Sequence, residues 1–242
     1  MTYRLAPDQH LDWLSSNFDS LMSAASSAPD TDVPECPGWT CLDVIEHVMM
    51  GLPVYVAFLQ MDPHTDPIQA VICEATATLE WRTGVDDVLG AAQGQFEHFN
   101  ALARRLDPDS ARLFWDGPGI AAKMFWHAAT ESWIHTSDVT RALGDTATLS
   151  SDQAAVLFEW SLMFRRMVCG GRGLDADSTV VVETTDTSQR TTLGSGEPAA
   201  LVRGSATALS LRLWNRSPGE VIDGDGAALS AWANIALNSP LG

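Results

Sequence analysis

The chain has 242 residues, 45% of them hydrophobic, enough for one large domain or two modest ones with real cores. A formal charge of −17, with a single lysine (Lys123) against 13 arginines, argues against a general phosphate-backbone binder, so nucleic acid is not an expected partner. No basic start followed by an apolar stretch opens the sequence and no run approaches the roughly 18 apolar residues that span a bilayer, so the expectation is a soluble cytoplasmic protein with no membrane partner.

Leu11, Leu14, Phe18, Leu21 and Met22 recur at spacings of three and four, an apolar stripe that predicts a first helix ended by the polar stretch 26–32. A second helix is predicted after Thr40, an N-cap with Asp43 in the place of the capping-box acid, running through His47 toward Leu59 with Gly51 and Pro53 as interruptions. A third runs over about 85–106 and turns Val88, Leu89, Ala92, Phe96, Phe99, Ala103 and Leu106 to one face. After a turn at 116–119, residues 120–143 read as a long helix closed by Gly144. A further helix starts near Ser150, passes through Trp160 and Phe164, and stops before the glycine cluster of Gly170, Gly171 and Gly173. That cluster marks the expected boundary between a helical domain, 1–169, and a second domain, 174–242.

Beyond it the pattern turns extended. Residues 178–184 are largely β-branched and 189–193 follow a turn at 186–188, which predicts a hairpin. Residues 199–203 add a strand, 206–214 a helix, 220–222 a short strand and 225–236 a closing helix. The expected fold class is α plus α/β. Cys36, Cys41, Cys73 and Cys169 form no C-x-x-C pair and are expected to be reduced. Cys36 and Cys41 flank a turn, Pro37-Gly38-Trp39-Thr40, that would bring them close, but at a spacing longer than metal ligands usually show.

Three side chains form a candidate metal set: His47, Glu131 and His135. Glu131 and His135 are four apart on the long helix, so both project from one face about a turn apart. A third ligand then comes from a facing helix, and a catalytic zinc takes three protein ligands with one position left for water or substrate. Glu131 lies among Ala128, Ala129, Trp133 and Ile134, where a carboxylate is costly unless paired or bound to a cation. His47 alone reads more readily as a core or boundary histidine, and it is the downstream pair that turns the reading toward a ligand. His127 sits four residues before Glu131, but three ligands spread over about 12 Å of one helix axis do not meet on one ion. It reads as a group behind the ligands, a substrate contact or a packed side chain. Asp138 either orients the His135 imidazole or is a solvated helix residue. Trp81, Trp115, Trp126, Trp133 and Trp160 read as core, with Trp126 and Trp133 as candidates to line a pocket beside the ligand helix.

Taken together, Pro37-Gly38-Trp39-Thr40 leading to His47, the pattern Glu131, His135, Asp138, and the segments 204–216 and 224–229 resemble the mycothiol-dependent maleylpyruvate isomerase family. The resemblance implies a DinB-like up-down four-helix bundle with one extra helix, followed by a small sterol-carrier-like α/β domain. It implies zinc, or another divalent ion, on His47, Glu131 and His135. Arg216 occupies the place of an arginine that faces the family's active site, one residue after Asn215, where a glycine is common. It reads either as a surface residue pairing with a carboxylate or as a fork that grips a substrate carboxylate. The implied activity is cis–trans isomerisation of a maleylpyruvate-like acid, or a related S-transfer, with mycothiol or a similar low-molecular-weight thiol as cofactor. Arg216 and His127 are the candidate catalytic residues of a monomer or homodimer whose partners are that thiol and a small electrophilic acid. Two readings of other classes stand beside it: a non-catalytic metal- or ligand-binding protein on the same fold, and a metal-independent enzyme with His127 or His135 as base.

Overall fold

A computed structural model of the chain describes residues 4–61, 84–115, 117–168, 179–193, 197, 200–224 and 226, with the backbone alone over 165–168. Cys73, Trp81, Cys169, the glycine cluster and nearly all of the closing helix expected over 225–236 lie outside them. The chain divides into two compact units: Ala6–Ala147, and Met1–Leu5 with Thr148–Gly242.

Among the described residues the first unit contains four helices: α1 (Pro7–Ser27), α2 (Cys41–Gln60), α3 (Val85–Ala103) and α4 (Ala121–Ala142). α1 packs along α4, and α2 packs along α3 and α4. The apolar stripe read from the sequence is the buried face of α1, where Leu11, Leu14, Phe18 and Leu21 are all buried and Phe18 stacks on Phe96 of α3 at 4.1 Å. The predicted cap of α2 is present. Asp43 N donates to Thr40 Oγ1 (3.3 Å) and Thr40 N to Asp43 Oδ2 (2.7 Å), a reciprocal box that fixes where the helix begins. The helix runs through Gly51 and Pro53 to Gln60 without ending. By length and composition it is apolar enough to cross a membrane, a longer apolar run than the sequence reading credits, and here it packs on α3 and α4.

α4 is the central helix. Apart from Lys123 and Glu131, every residue from Ala121 to Val139 is buried. Buried polar groups tie it to α1: Asn17 Nδ2 donates to Ala129 O at 3.1 Å, and Thr136 Oγ1 lies 3.1 Å from Asn17 O. At its end Gly144 takes φ 80°, which only glycine enters freely, and the Gly144 and Asp145 amides donate to Arg141 O and Thr140 O. A hairpin that the sequence reading treats only as a turn precedes α4. It consists of β1 (Ala111–Phe114) and β2 (Gly117–Ile120), antiparallel with Phe114 opposite Gly117.

In the second unit, α5 (Ser151–Val168) begins with a Ser150–Gln153 capping box. A four-stranded sheet follows from β3 (Val180–Thr184), β4 (Arg190–Leu193), β5 (Ala200–Gly204) and β6 (Asp223–Gly224), with α6 (Ala206–Leu213) after β5. The order is β4-β3-β5-β6, with β3 and β5 parallel and both outer strands antiparallel to their neighbours. Ala154, Phe158 and Leu162, at intervals of four on α5, form one core with Val180, Val182, Leu193, Val202, Leu209 and Leu213. That shared core is why α5 groups with the sheet, whereas the sequence reading places it with the helical domain. The hairpin of β3 and β4 is as expected. The last strand is not: the ladder is made by Asp223 and Gly224, while residues 220–222 precede it and Val221 is 80% exposed. Ile222 instead lies near Gly204, where an added Cβ would come within 3.4 Å of its side chain.

Candidate metal centre

Two rows of side chains face one another in the first unit. Along α2, His47, Gly51 and Tyr55 follow at intervals of four; along α4, His127, Glu131 and His135 do the same. The rows run antiparallel, with His47 ring to His135 ring at 4.9 Å and Tyr55 ring to His127 ring at 5.3 Å. Gly51 leaves room for Tyr55, since a Cβ there would stand 3.2 Å from the phenolic oxygen.

His47, Glu131 and His135 each bring a potential ligand atom within 4.8 Å of the other two. His47 Nε2 lies 3.8 Å from Glu131 Oε1, a few tenths of an ångström wider than the edge of about 3.4 Å implied by tetrahedral zinc bonds of 2.0–2.1 Å. Two imidazoles and a carboxylate suit zinc or another first-row divalent ion, so the donor set fits such a metal. His135 is nearly buried, Glu131 is partly covered and the His47 side chain is 42% exposed, so the set opens on the α2 side.

His127 stands behind this set. Its Nε2 is 3.8 Å from Glu131 Oε2, the oxygen turned away from His47. Tyr55, Phe114 and Trp115 surround its ring, the last two supplied by the β1–β2 hairpin and its turn. Burial, and after it the charge of Lys123, lowers its pKa to about 3, so the imidazole is neutral at physiological pH. Of the roles left open by the sequence, the geometry favours a packed group backing Glu131.

The loop before α2 closes over both histidines. Val33 N donates to Trp39 O, Trp39 N to Cys36 O, and Gly38 takes φ 85° to make the turn. This brings the Trp39 ring to 5.1 Å from His47. On its other side Cys36 Sγ donates to Asp138 Oδ2 at 3.5 Å, and Asp138 Oδ2 lies 3.4 Å from His135 Nδ1. Asp138 is fully buried, so it is not a solvated helix residue. Cys36, His135 and Asp138 form a second group whose ligand atoms lie within 4.8 Å of one another, sharing His135 with the first. An ion pair, Arg141 to Glu35 at 3.0 Å, holds the same loop to α4. The approach of Cys36 to Asp138 escapes the sequence reading, whose only signal there is the turn-forming Pro37-Gly38. Cys41 begins α2 as a buried thiol whose pKa is raised by burial, which makes it a poor nucleophile.

The tryptophans flanking the ligands, Trp126 and Trp133, are core residues, and Trp126 neighbours the buried His10 at 6.1 Å. Arg216 belongs to the second unit. Its amide donates to Leu211 O at 2.8 Å and its guanidinium to Trp214 O at 2.9 Å. Asn215 before it adopts φ 58°, the left-handed region that asparagine tolerates better than most residues, so it serves where a glycine would be easiest.

Two solved structures resemble the chain closely in fold. Both are of the mycothiol-dependent maleylpyruvate isomerase, one of them a histidine-to-alanine mutant. At 14% and 15% identity each aligns with a TM-score of 0.67, covering 94% of this chain and 97% of the other. No curated protein matches the sequence. The model of the mycothiol maleylpyruvate isomerase N-terminal domain matches residues 5–140, which contain His47, Glu131, His135 and the loop before α2. The chain therefore belongs to the mycothiol maleylpyruvate isomerase N-terminal domain family.

Proposed function

We propose that this protein is a metal-dependent enzyme that uses mycothiol, or a closely similar thiol, to isomerise a small maleylpyruvate-like acid from cis to trans. The observation that carries the reading is the convergence of His47, Glu131 and His135 from two helices to within 4.8 Å. Family membership over residues 5–140 supports it, as does the likeness of fold across 94% of the chain. In this reading the first unit is a DinB-like four-helix bundle and the second a sterol-carrier-like module.

His47, Glu131 and His135 would hold the ion. Bound there, zinc would favour the thiolate form of a thiol ligand, so the chain need not provide its own nucleophile. A thiol bound there would supply the reversible addition and elimination at the activated double bond that cis–trans isomerisation needs. The chain's part is to position and shield. Glu131 is held between His47 and a neutral His127, and the aromatic wall of Tyr55, Phe114 and Trp115 excludes water behind it. The exposed edge of His47 gives a small thiol its approach. Arg216 is our candidate to grip the substrate carboxylate as a two-pronged donor, on the strength of the sequence resemblance. Buried reduced thiols at Cys36 and Cys41 accord with a cytoplasmic protein.

The test is metal content of the purified protein together with turnover of maleylpyruvate in the presence of mycothiol. One metal per chain, lost in His47→Ala and Glu131→Ala along with turnover, supports the proposal. Metal retained in both variants would sink the ligand assignment. A metal-loaded protein that binds the thiol yet turns nothing over would make it a binding protein on the same fold.

A further inference from the structure

Asp138 is the one carboxylate among the described residues that is completely buried, and it lies three residues beyond a proposed ligand. A carboxylate removed from water is costly unless its oxygens accept hydrogen bonds or meet positive charge. Asp138 Oδ2 accepts a hydrogen bond from the Cys36 thiol at 3.5 Å, and it lies 3.4 Å from His135 Nδ1, a buried ring nitrogen that makes no hydrogen bond in this geometry and has this carboxylate within ion-pair distance. The two neighbours differ in their distance along the chain: His135 is three residues away on the same helix and Cys36 is 102 residues away in the loop before α2.

An imidazole with Nδ1 turned to a carboxylate is held as the Nδ1–H tautomer, which leaves Nε2 as the nitrogen free to bind a metal. Such a partner also fixes the ring plane and raises the basicity of the other nitrogen. The same turn that brings Cys36 to Asp138 brings Trp39 against His47, so one loop braces both histidines.

We infer that Asp138 is the positioning residue of the metal centre: held in place by Cys36, it orients His135 so that Nε2 faces His47 and Glu131, and Cys36 is a brace rather than a ligand. This rests on the metal-site reading above and adds to it an assignment between the two overlapping groups around His135. If the second group were the true site, Cys36 and Asp138 would themselves bind the ion, and His135 would use Nδ1.

The experiment is zinc affinity, by competition with a chromophoric chelator, for the wild type and for Asp138→Ala, Asp138→Asn and Cys36→Ala. Thermal unfolding of each metal-free protein is followed in parallel. Asp138→Ala is expected to weaken zinc binding about 10- to 100-fold. Asp138→Asn, whose amide oxygen still accepts from Nδ1–H, loses severalfold, and Cys36→Ala still binds one zinc. A purely structural role for Asp138 would shift metal-free unfolding and leave the zinc affinity of the folded protein unchanged, which overturns the inference. Should Asp138→Ala fail to fold, the isosteric Asp138→Asn decides: a severalfold loss supports it and an unchanged affinity refutes it. Loss of zinc in Cys36→Ala, or a thiolate-to-cobalt charge-transfer band in the cobalt-loaded wild type that vanishes in that variant, assigns the ion to Cys36 and also refutes it. A wild type that binds no zinc removes the metal-site reading itself, and the inference with it.

Discussion

Glu131 is shared between two histidines, its Oε1 lying 3.8 Å from His47 Nε2 on one helix and its Oε2 3.8 Å from His127 Nε2 on its own. Removing the carboxylate therefore takes away a proposed metal donor and also the group that His127 faces. Metal assistance is worth several kcal/mol in such reactions, and each 1.36 kcal/mol is tenfold in rate. Glu131→Ala is expected to lower thiol-dependent isomerisation by at least about 100-fold, measured as kcat/KM at saturating zinc. Full activity in that variant would remove Glu131 from the site.

Asn17 tests the seam between α1 and α4. Its amide donates to Ala129 O in the core, two residues before Glu131. Asn17→Leu leaves a buried carbonyl without that donor, at a cost of about 1–3 kcal/mol in urea unfolding. Because the seam lies on the α1 side of α4, zinc affinity per folded molecule should stay near that of the wild type. A variant as stable as the wild type would show the hydrogen bond to be dispensable.

The start of α2 is a second place where a few atoms fix a larger element. Thr40→Ala removes the hydroxyl that accepts from Asp43 N, and Asp43→Ala removes the return bond to Thr40 N. Each is expected to destabilise by about 1 kcal/mol, and the double variant by less than the sum, since one box is lost in both. Strict additivity in a double-mutant cycle would contradict the reciprocal box.

His10 predicts a pH dependence. Burial lowers its pKa to about 4 from an ordinary value of 6.5. Unfolded chains bind a proton there below pH 6.5 while the folded protein does not until about pH 4, so stability falls as pH drops through that window. The loss from this group is on the order of 3 kcal/mol at its full extent. His10→Phe should flatten the slope of unfolding free energy between pH 6.5 and 4, and an unchanged slope would show that His10 is not its source.

The legibility of this fold from sequence follows the range of the interactions that build it. The shared face of Glu131 and His135 could be read because an interval of four on a helix places both on one side, and the α2 cap because its partners are three residues apart. The tie from Cys36 to Asp138 spans 102 residues and leaves no local periodicity. The β1–β2 hairpin was hidden by its own composition: Gly117, Pro118 and Gly119 signal a turn far more strongly than a strand. α5 shows the limit of amphipathic patterns, which identify a buried face without naming what covers it. Its Phe158 and Leu162 look the same in sequence whether they meet other helices or, as here, a sheet. The displaced β6 has a similar cause, because β-branched Val221 and Ile222 read as a strand while pairing register is set by the partner β5.

If His47, Glu131 and His135 hold an ion as proposed, their division between α2 and α4 has a thermodynamic consequence. A slip of one residue along either helix moves its ligands by about 1.5 Å and about 100°, so only the native packing of the two helices presents all three donors together. Anything that binds this arrangement and not the unfolded chain adds RT ln(1 + [L]/Kd) to stability. Metal supply would then act as a folding chaperone for the first unit, and starvation for the ion would lower the amount of folded protein before it lowered the activity of each molecule.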